Sequence, residues 1–177
     1  MNKGLVSGLV LLTLGLICGV LLAACNTLTA PIITNMENQV KYDALAEFYT
    51  LSNYDLQEVA ITDNNNIDTV YLLKNKTDGT VEAVVYSVNA YGYQSDVKML
   101  IAVNKDYTVQ GYKIVSQAET AGLGSLSETY DFKMTGATVT DLTGFDSISG
   151  ATITSTAVKA CFIAVGNHLS VEFGGGN

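Results

Sequence analysis

Arginine and tryptophan are missing from these 177 residues, and proline and histidine occur once each, as Pro31 and His168. Without arginine there is no planar fork to grip a phosphate at two points; all nine basic residues are lysines. A phosphate would have to be held by backbone N–H groups, by hydroxyls or by a covalent bond. One histidine leaves no carboxylate–histidine–nucleophile set to argue for. His168, near the end of an apolar segment, reads as a favourable charge at a helix C-terminus. The three cysteines, Cys18, Cys25 and Cys161, give neither a disulfide framework nor a metal-ligand spacing. Cys161 lies among Ala160, Phe162 and Ala164 and reads as a buried thiol. Positive charge is scarce, with 9 basic against 17 acidic residues and a net charge of -8. Such a surface repels nucleic acid, which excludes that class of partner.

Long apolar runs, by contrast, are present. Gly4 to Ala24 carries no charge over 21 residues. At about 1.5 Å per residue it would span roughly 30 Å, one bilayer core. Lys3 precedes it, no acid follows until Glu37, and the next lysine is Lys41. The positive-inside rule then puts the N-terminus in the cytoplasm and the main domain on the extracytoplasmic side. Leu22-Ala23-Ala24-Cys25 also fits a bacterial lipobox, in which Cys25 would be the lipidated first residue of a mature chain. Either reading tethers the domain to the outer face. Cys18 and Cys25, seven apart, fall near one helix face. They read as small packing residues, with contact to a partner's metal centre as the alternative.

The remaining residues, roughly 150, suit one domain with an ordinary core. The expected division is 1–25 for the cytoplasmic tip and transmembrane anchor and 26–54 for a linker and amphipathic helix. Residues 55–173 would form the domain and 174–177 a disordered tail. Thr34-x-x-Glu37 is a capping-box pattern that would open a helix, along which Val40, Ala44, Phe48 and Leu51 recur at helical spacing. Asp63 to Asn66 reads as a loop. Thr69–Leu73 and Val81–Val88 read as strands joined through Asp78-Gly79, and Val97–Val103 and Val109–Ser116 as a second pair across Asn104-Lys105-Asp106. Such a meander predicts an antiparallel sheet. From Ser155 to Leu169 the apolar positions Val158, Cys161, Phe162, Val165 and Leu169 mark a helix facing the core. Tyr91 and Tyr93, in Ala90-Tyr91-Gly92-Tyr93, read as strand-edge packing, with aromatic contact to a bound cofactor as the alternative.

Two short motifs carry candidate chemistry. The first is Asp146-Ser147-Ile148-Ser149-Gly150-Ala151-Thr152-Ile153-Thr154-Ser155, which runs directly into that helix. Small residues admit a bulky group, hydroxyls offer an attachment atom, and a helix start presents free N–H groups and a positive dipole end. Any turn with an N-cap has a similar composition. A second copy, Thr135-Gly136-Ala137-Thr138, has Asp131 one residue too far back and runs into Val139-Thr140-Asp141-Leu142, so it reads as a decoy. The other motif is Glu119-Thr120-Ala121-Gly122-Leu123-Gly124, whose two glycines permit φ > 0 or close approach.

Together these stretches resemble the FMN-binding domain family. In that family the threonine of an S-G-A-T motif carries FMN through a phosphoester bond. The resemblance extends to Asn26-Thr27-Leu28-Thr29-Ala30-Pro31-Ile32, which is similar to the N-x-x-T-x-P-x-I stretch after the family's anchor helix. It also covers E-T-x-G-L-G, where this chain has Ala121 in place of the usual proline. The branch it resembles most is the RnfG type, with NqrC next.

The resemblance implies an α+β fold: an antiparallel sheet with packed helices and one N-terminal transmembrane helix. It implies FMN bound covalently to Thr152. Asp146 would match the acid that the modifying flavin transferase needs, or would cap the turn in the finished protein. Ser149 belongs to the cofactor-binding motif, and Gly150 and Ala151 would clear space for the cofactor. Thr154 and Ser155 would bond phosphate oxygens. Glu119, Thr120, Gly122, Leu123 and Gly124 would border the isoalloxazine, and Lys133 would neutralise a phosphate or a reduced flavin or, alternatively, be a solvated surface lysine. The implied partners are the other membrane and peripheral subunits of an Rnf-type complex, the flavin transferase and the membrane itself. The implied activity is that of an electron-carrying oxidoreductase subunit, in a complex coupling ferredoxin:NAD electron transfer to Na⁺ or H⁺ movement. The alternatives are an NqrC-like subunit of a Na⁺-translocating NADH:quinone reductase, or an outer-face lipoprotein that binds a ligand without a redox role.

Overall fold

The computed structural model describes residues 3–61 and 66–172. Most of the Asp63–Asn66 loop and the 174–177 tail lie outside them. The chain divides into two compact units, 1–40 and 41–177.

In the first unit the chain is helical throughout its described residues, as part of helix α1 (Lys3–Phe48). Within α1 the segment Val6–Ile33 is long and apolar enough to cross a membrane, and none of it is buried by protein. This reaches past Ala24 and takes in Pro31. No new helix opens at Thr34, because α1 runs through that position without a break. The backbone there is already hydrogen-bonded, so the capping-box pattern has no free helix start to cap.

The second unit is a five-stranded antiparallel sheet in simple meander order, β1-β2-β3-β4-β5. The strands are β1 (Tyr54–Ala60), β2 (Ile67–Asn75), β3 (Val81–Tyr91), β4 (Asp96–Asn104) and β5 (Val109–Ser116). The structure thus shows an α+β fold and adds one strand, β1, that the sequence pattern did not signal.

Both faces of the sheet are covered. Helix α2 (Thr152–Glu172) lies on one face, where Val158, Cys161, Phe162 and Val165 meet Tyr86, Val88, Met99 and Ile101. On the other face, Ala44 and Leu45 near the end of α1 meet Leu73, Val85, Leu100 and Ala102. Double coverage explains why β3 and β4 read as nearly unbroken apolar runs rather than as alternation. Gly111 on β5 makes room on that second face, since a Cβ there would lie 2.8 Å from the Phe48 ring.

The apolar positions proposed for the second helix are all buried, as is the Cys161 thiol, which burial pushes up to about 12. His168 does not sit at a helix end, because α2 runs on to Glu172. Its Nδ1 lies 3.2 Å from the Tyr86 hydroxyl and its ring packs edge-on against that tyrosine. The structure therefore replaces the dipole role with packing and a hydrogen bond.

Candidate functional site

The turn that feeds α2 is fixed residue by residue. Ala151 N–H bonds to the Ile148 carbonyl at 3.1 Å, and Gly150 between them has φ +82. A positive φ at the third position defines a type II turn, for which glycine is the low-strain choice. Ile148 is buried, and its N–H donates to Ser155 Oγ at 3.0 Å. Asp146 N–H donates to the Phe132 carbonyl, and the Tyr130 hydroxyl donates to the Ser147 carbonyl at 3.2 Å. The turn therefore delivers Thr152 as the first residue of α2, exposed to solvent. The N–H groups of Thr152, Ile153 and Thr154 have no intrahelical acceptor, and among the described residues no other backbone acceptor takes them.

The Glu119–Gly124 loop forms a second turn of the same kind. Leu123 N–H bonds to the Thr120 carbonyl at 3.1 Å, with Gly122 at φ +75. Ala121 then occupies the second position, where proline is favoured. Gly124 has a different reason to be glycine. A Cβ there would fall 2.7 Å from Glu119 Cβ and 2.7 Å from Thr154 Oγ1.

Glu119 itself is 8% exposed. Its Oε2 accepts the Tyr93 N–H at 2.9 Å, and its Oε1 accepts the N–H groups of Gln94 at 2.9 Å and Ser95 at 3.0 Å. Thr154 Oγ1 donates to Oε2. Burial pushes this carboxyl up, but the Thr154 hydroxyl and the three backbone donors outweigh it and hold the group at about 2. Gly92 clears the way, since a Cβ there would lie 2.7 Å from Glu119 Oε1.

These segments enclose a cavity of about 590 Å³, a size typical of cofactor sites. Of the residues singled out in the sequence, Glu119, Thr120, Leu123, Gly124, Gly150, Ala151, Thr152 and Thr154 line it. Asp146, Ser149, Ser155, Gly122 and Lys133 do not. Thr154 and Ser155 spend their hydroxyls within the protein, on Glu119 and on the Ile148 N–H. Among the described residues none hydrogen-bonds the Thr152 hydroxyl. Lys133 adopts φ 62, and its Nζ lies 2.6 Å from Asp131, so its charge is already paired. The hydrogen bond to Asp131 raises the Lys133 ammonium, and the hydrogen bond from Lys133 lowers the Asp131 carboxyl. Asp146 is exposed and accepts the Ser147 N–H at 2.8 Å.

Tyr93, Gln94 and Ile153 line the cavity as well. Tyr93 does not pack at a strand edge, as its sequence context suggests. It lies in the turn between β3 and β4, 61% exposed, and forms part of the cavity wall. Tyr91, at the end of β3, stays outside.

The second copy of the motif adopts the same local turn. Ala137 N–H bonds to the Met134 carbonyl at 3.1 Å, and Gly136 has φ +81. Its surroundings differ. Ala137 and Gly136 exchange hydrogen bonds with Val109, Thr138 bridges Thr108, and no helix follows. Turn shape alone therefore does not distinguish the two copies; the helix start and the cavity do.

A model of the FMN-binding domain matches residues 92–165, a range that contains every cavity-lining residue. Three relatives, each named as the G subunit of an ion-translocating oxidoreductase complex, match most of the chain. The protein from Cereibacter sphaeroides is 30% identical over 178 residues, covering 89% of this chain and 80% of its own length. The Haemophilus influenzae protein is 26% identical over 85% of this chain and 83% of its own length. The Methanosarcina acetivorans protein is 28% identical over 64% of this chain and 65% of its own. The identity and coverage of the Cereibacter protein, together with the domain match over the cavity, establish that this chain belongs to the family of ion-translocating oxidoreductase complex G subunits and carries an FMN-binding domain.

Proposed function

We propose that the chain is an electron-carrying subunit of a membrane-bound ion-translocating oxidoreductase complex, with FMN held through a phosphoester to Thr152 Oγ1. The observation that carries this is the Thr152 hydroxyl, used by none of the described residues and exposed at the start of α2 on the wall of the cavity. The cavity suits the group on two counts. Its volume is adequate for a heteroaromatic ring, and Tyr93, Leu123 and Ile153 give it an apolar rim. The phosphate would meet the unspent N–H groups of the helix start in a protein without arginine. Bound FMN supplies one- and two-electron carriage. The chain's own residues hold it, orient it and leave one side open to a redox partner.

Within such a complex the electrons would pass between reduced ferredoxin and NAD, coupled to Na⁺ or H⁺ movement. The apolar helix Val6–Ile33 would be retained as a single-pass anchor. The position of Lys3 before it favours a cytoplasmic N-terminus and a domain on the extracytoplasmic side. A flavin transferase would install the cofactor there, and covalent attachment would keep it from being lost to the surroundings. Lys133 and Asp146, outside the cavity, would serve transferase recognition or the local turn rather than the ring.

Two assays test this. Denatured protein, produced with a flavin transferase, should fluoresce as a flavin band on a gel; a dark band would defeat covalent attachment. Protease added to spheroplasts should digest the domain, and the surviving mature chain should begin near Met1. A lipidated N-terminus at Cys25 would reject the retained helix.

A further inference from the structure

We infer that Glu119 is a positioning residue: its carboxylate ties the β3–β4 turn to the first turn of α2 and so fixes the spacing between the two walls of the cavity. The inference rests on the reading of that cavity as the FMN site. One wall is the turn bearing Tyr93, whose N–H groups at residues 93, 94 and 95 all point at the Glu119 carboxylate. The other wall is the start of α2, where Thr154 Oγ1 donates to the same group two residues beyond Thr152. Between the two, Glu119 is buried, and its own loop supplies Leu123 and Gly124 to the floor.

Four close donors on one buried carboxylate, with the Ser95 hydroxyl as a longer fifth at 3.5 Å, saturate it. No acceptor site is left to turn toward a ligand, so Glu119 acts on the cofactor through Tyr93 and through the helix start. The space around it is kept free at two points. Side chains at Gly92 or Gly124 would collide with Glu119 itself, at 2.7 Å in each case. The chain therefore gives up two Cβ atoms from two different segments to seat one carboxylate. A carboxylate that merely satisfied a loop would need only the nearer contacts. This one spans sequence separations of 24 to 26 residues on one side and 35 on the other.

Ionised Glu119 is all acceptor. Glu119→Gln replaces one acceptor oxygen by a donor and sets N–H against N–H. Thr154→Val removes the hydroxyl at nearly constant shape, and Thr154→Ser restores it. All are made in the full chain, produced with a flavin transferase, and covalent flavin is measured first by intact mass. Glu119→Gln and Thr154→Val should keep one FMN per chain. Both should lose the visible circular dichroism of the held ring and shift its midpoint potential, with Thr154→Ser matching the parent. The double variant should be no worse than Glu119→Gln alone, because both break the same link. Parent-like spectra and potentials in flavin-loaded Glu119→Gln and Thr154→Val would overturn the inference.

The clamp has a second readout that needs no flavin. In the unloaded chain, amide exchange at Tyr93, Gln94 and Ser95 should be protected, and Glu119→Gln or Thr154→Val should speed it at least tenfold. Unprotected amides in the parent would overturn the clamp on their own. Failure of the parent to load FMN would count against the function proposed for the cavity, and the exchange measurement would still decide the clamp.

Discussion

The ionisation of Glu119 should be visible in the stability of the whole domain. An ordinary glutamate titrates near 4.5, and in the fold this one is held at about 2. Its folded value is depressed, so the stabilisation is fully present above the unfolded value and is lost as pH falls from about 4.5 toward 2. A difference of about 2.5 pH units corresponds to roughly 3 kcal/mol at neutral pH. The assay is urea unfolding of the full chain in a mild non-ionic detergent, followed by tyrosine fluorescence between pH 7 and pH 2.5. The comparison is with Glu119→Gln, which cancels the exposed carboxylates Asp78, Asp106, Asp131 and Asp141, also lowered in the fold. The parent should exceed the variant by about 2–3 kcal/mol at pH 7, with the gap closing as the acid protonates. A gap that stays constant down to pH 2.5 would refute the claim that the ionised carboxylate is what the four donors hold.

Three further outcomes follow from the geometry of the loops, and a fourth from the core. Gly124→Ala should cost about 1–3 kcal/mol through overpacking against Glu119 and Thr154 and should change the flavin spectrum. Gly122→Ala should cost about 1–2 kcal/mol through its positive φ alone and leave the spectrum close to the parent, since nothing lies within 4 Å of the added Cβ. Equal spectral effects would contradict the distinction. Ala121→Pro should raise the melting temperature by about 1–4 °C, because proline suits the second position of a type II turn; a fall would show that the turn assignment is wrong. Cys161 should resist alkylation in the native chain and react only after denaturation, as peptide mapping would reveal, because its thiol is buried and pushed up to about 12.

The parts of this molecule that sequence disclosed are those whose physics is local. Asp78-Gly79 marked the β2–β3 turn, and Gly79 has φ +72. The spacing of Val158, Cys161, Phe162 and Val165 marked the buried face of α2. The sequence marked Gly122 as a place for positive φ, which it adopts, but read Gly150 as room for a bulky group, and the type II turn that needs it came from the structure. Strand β1 was not legible. It is an edge strand with Tyr54, Leu56 and Val59 half-buried, and the step from Leu56 to Val59 breaks the period of two. The extent of α1 was masked by a false start at Thr34, where a capping pattern lies inside a helix that had no need of it. The role of Glu119 could not be read either. Its acceptors serve backbone N–H groups of the turn at Tyr93–Ser95, and backbone donors carry no sequence signature. The choice between the two roles of Tyr93, strand-edge packing and cofactor contact, was open for a related reason: Ala90-Tyr91-Gly92-Tyr93 fits an extended strand edge as well as a turn. Only the position of Glu119 in space tells the two apart.

The intact mass of the chain, produced with and without a flavin transferase, tests the central claim most directly. The account predicts a gain of one FMN less one water in the parent, no gain in Thr152→Ala, and an undiminished gain in Thr138→Ala, whose turn has the same shape but no helix start behind it. A gain that survives in Thr152→Ala, or that disappears only in Thr138→Ala, would contradict it.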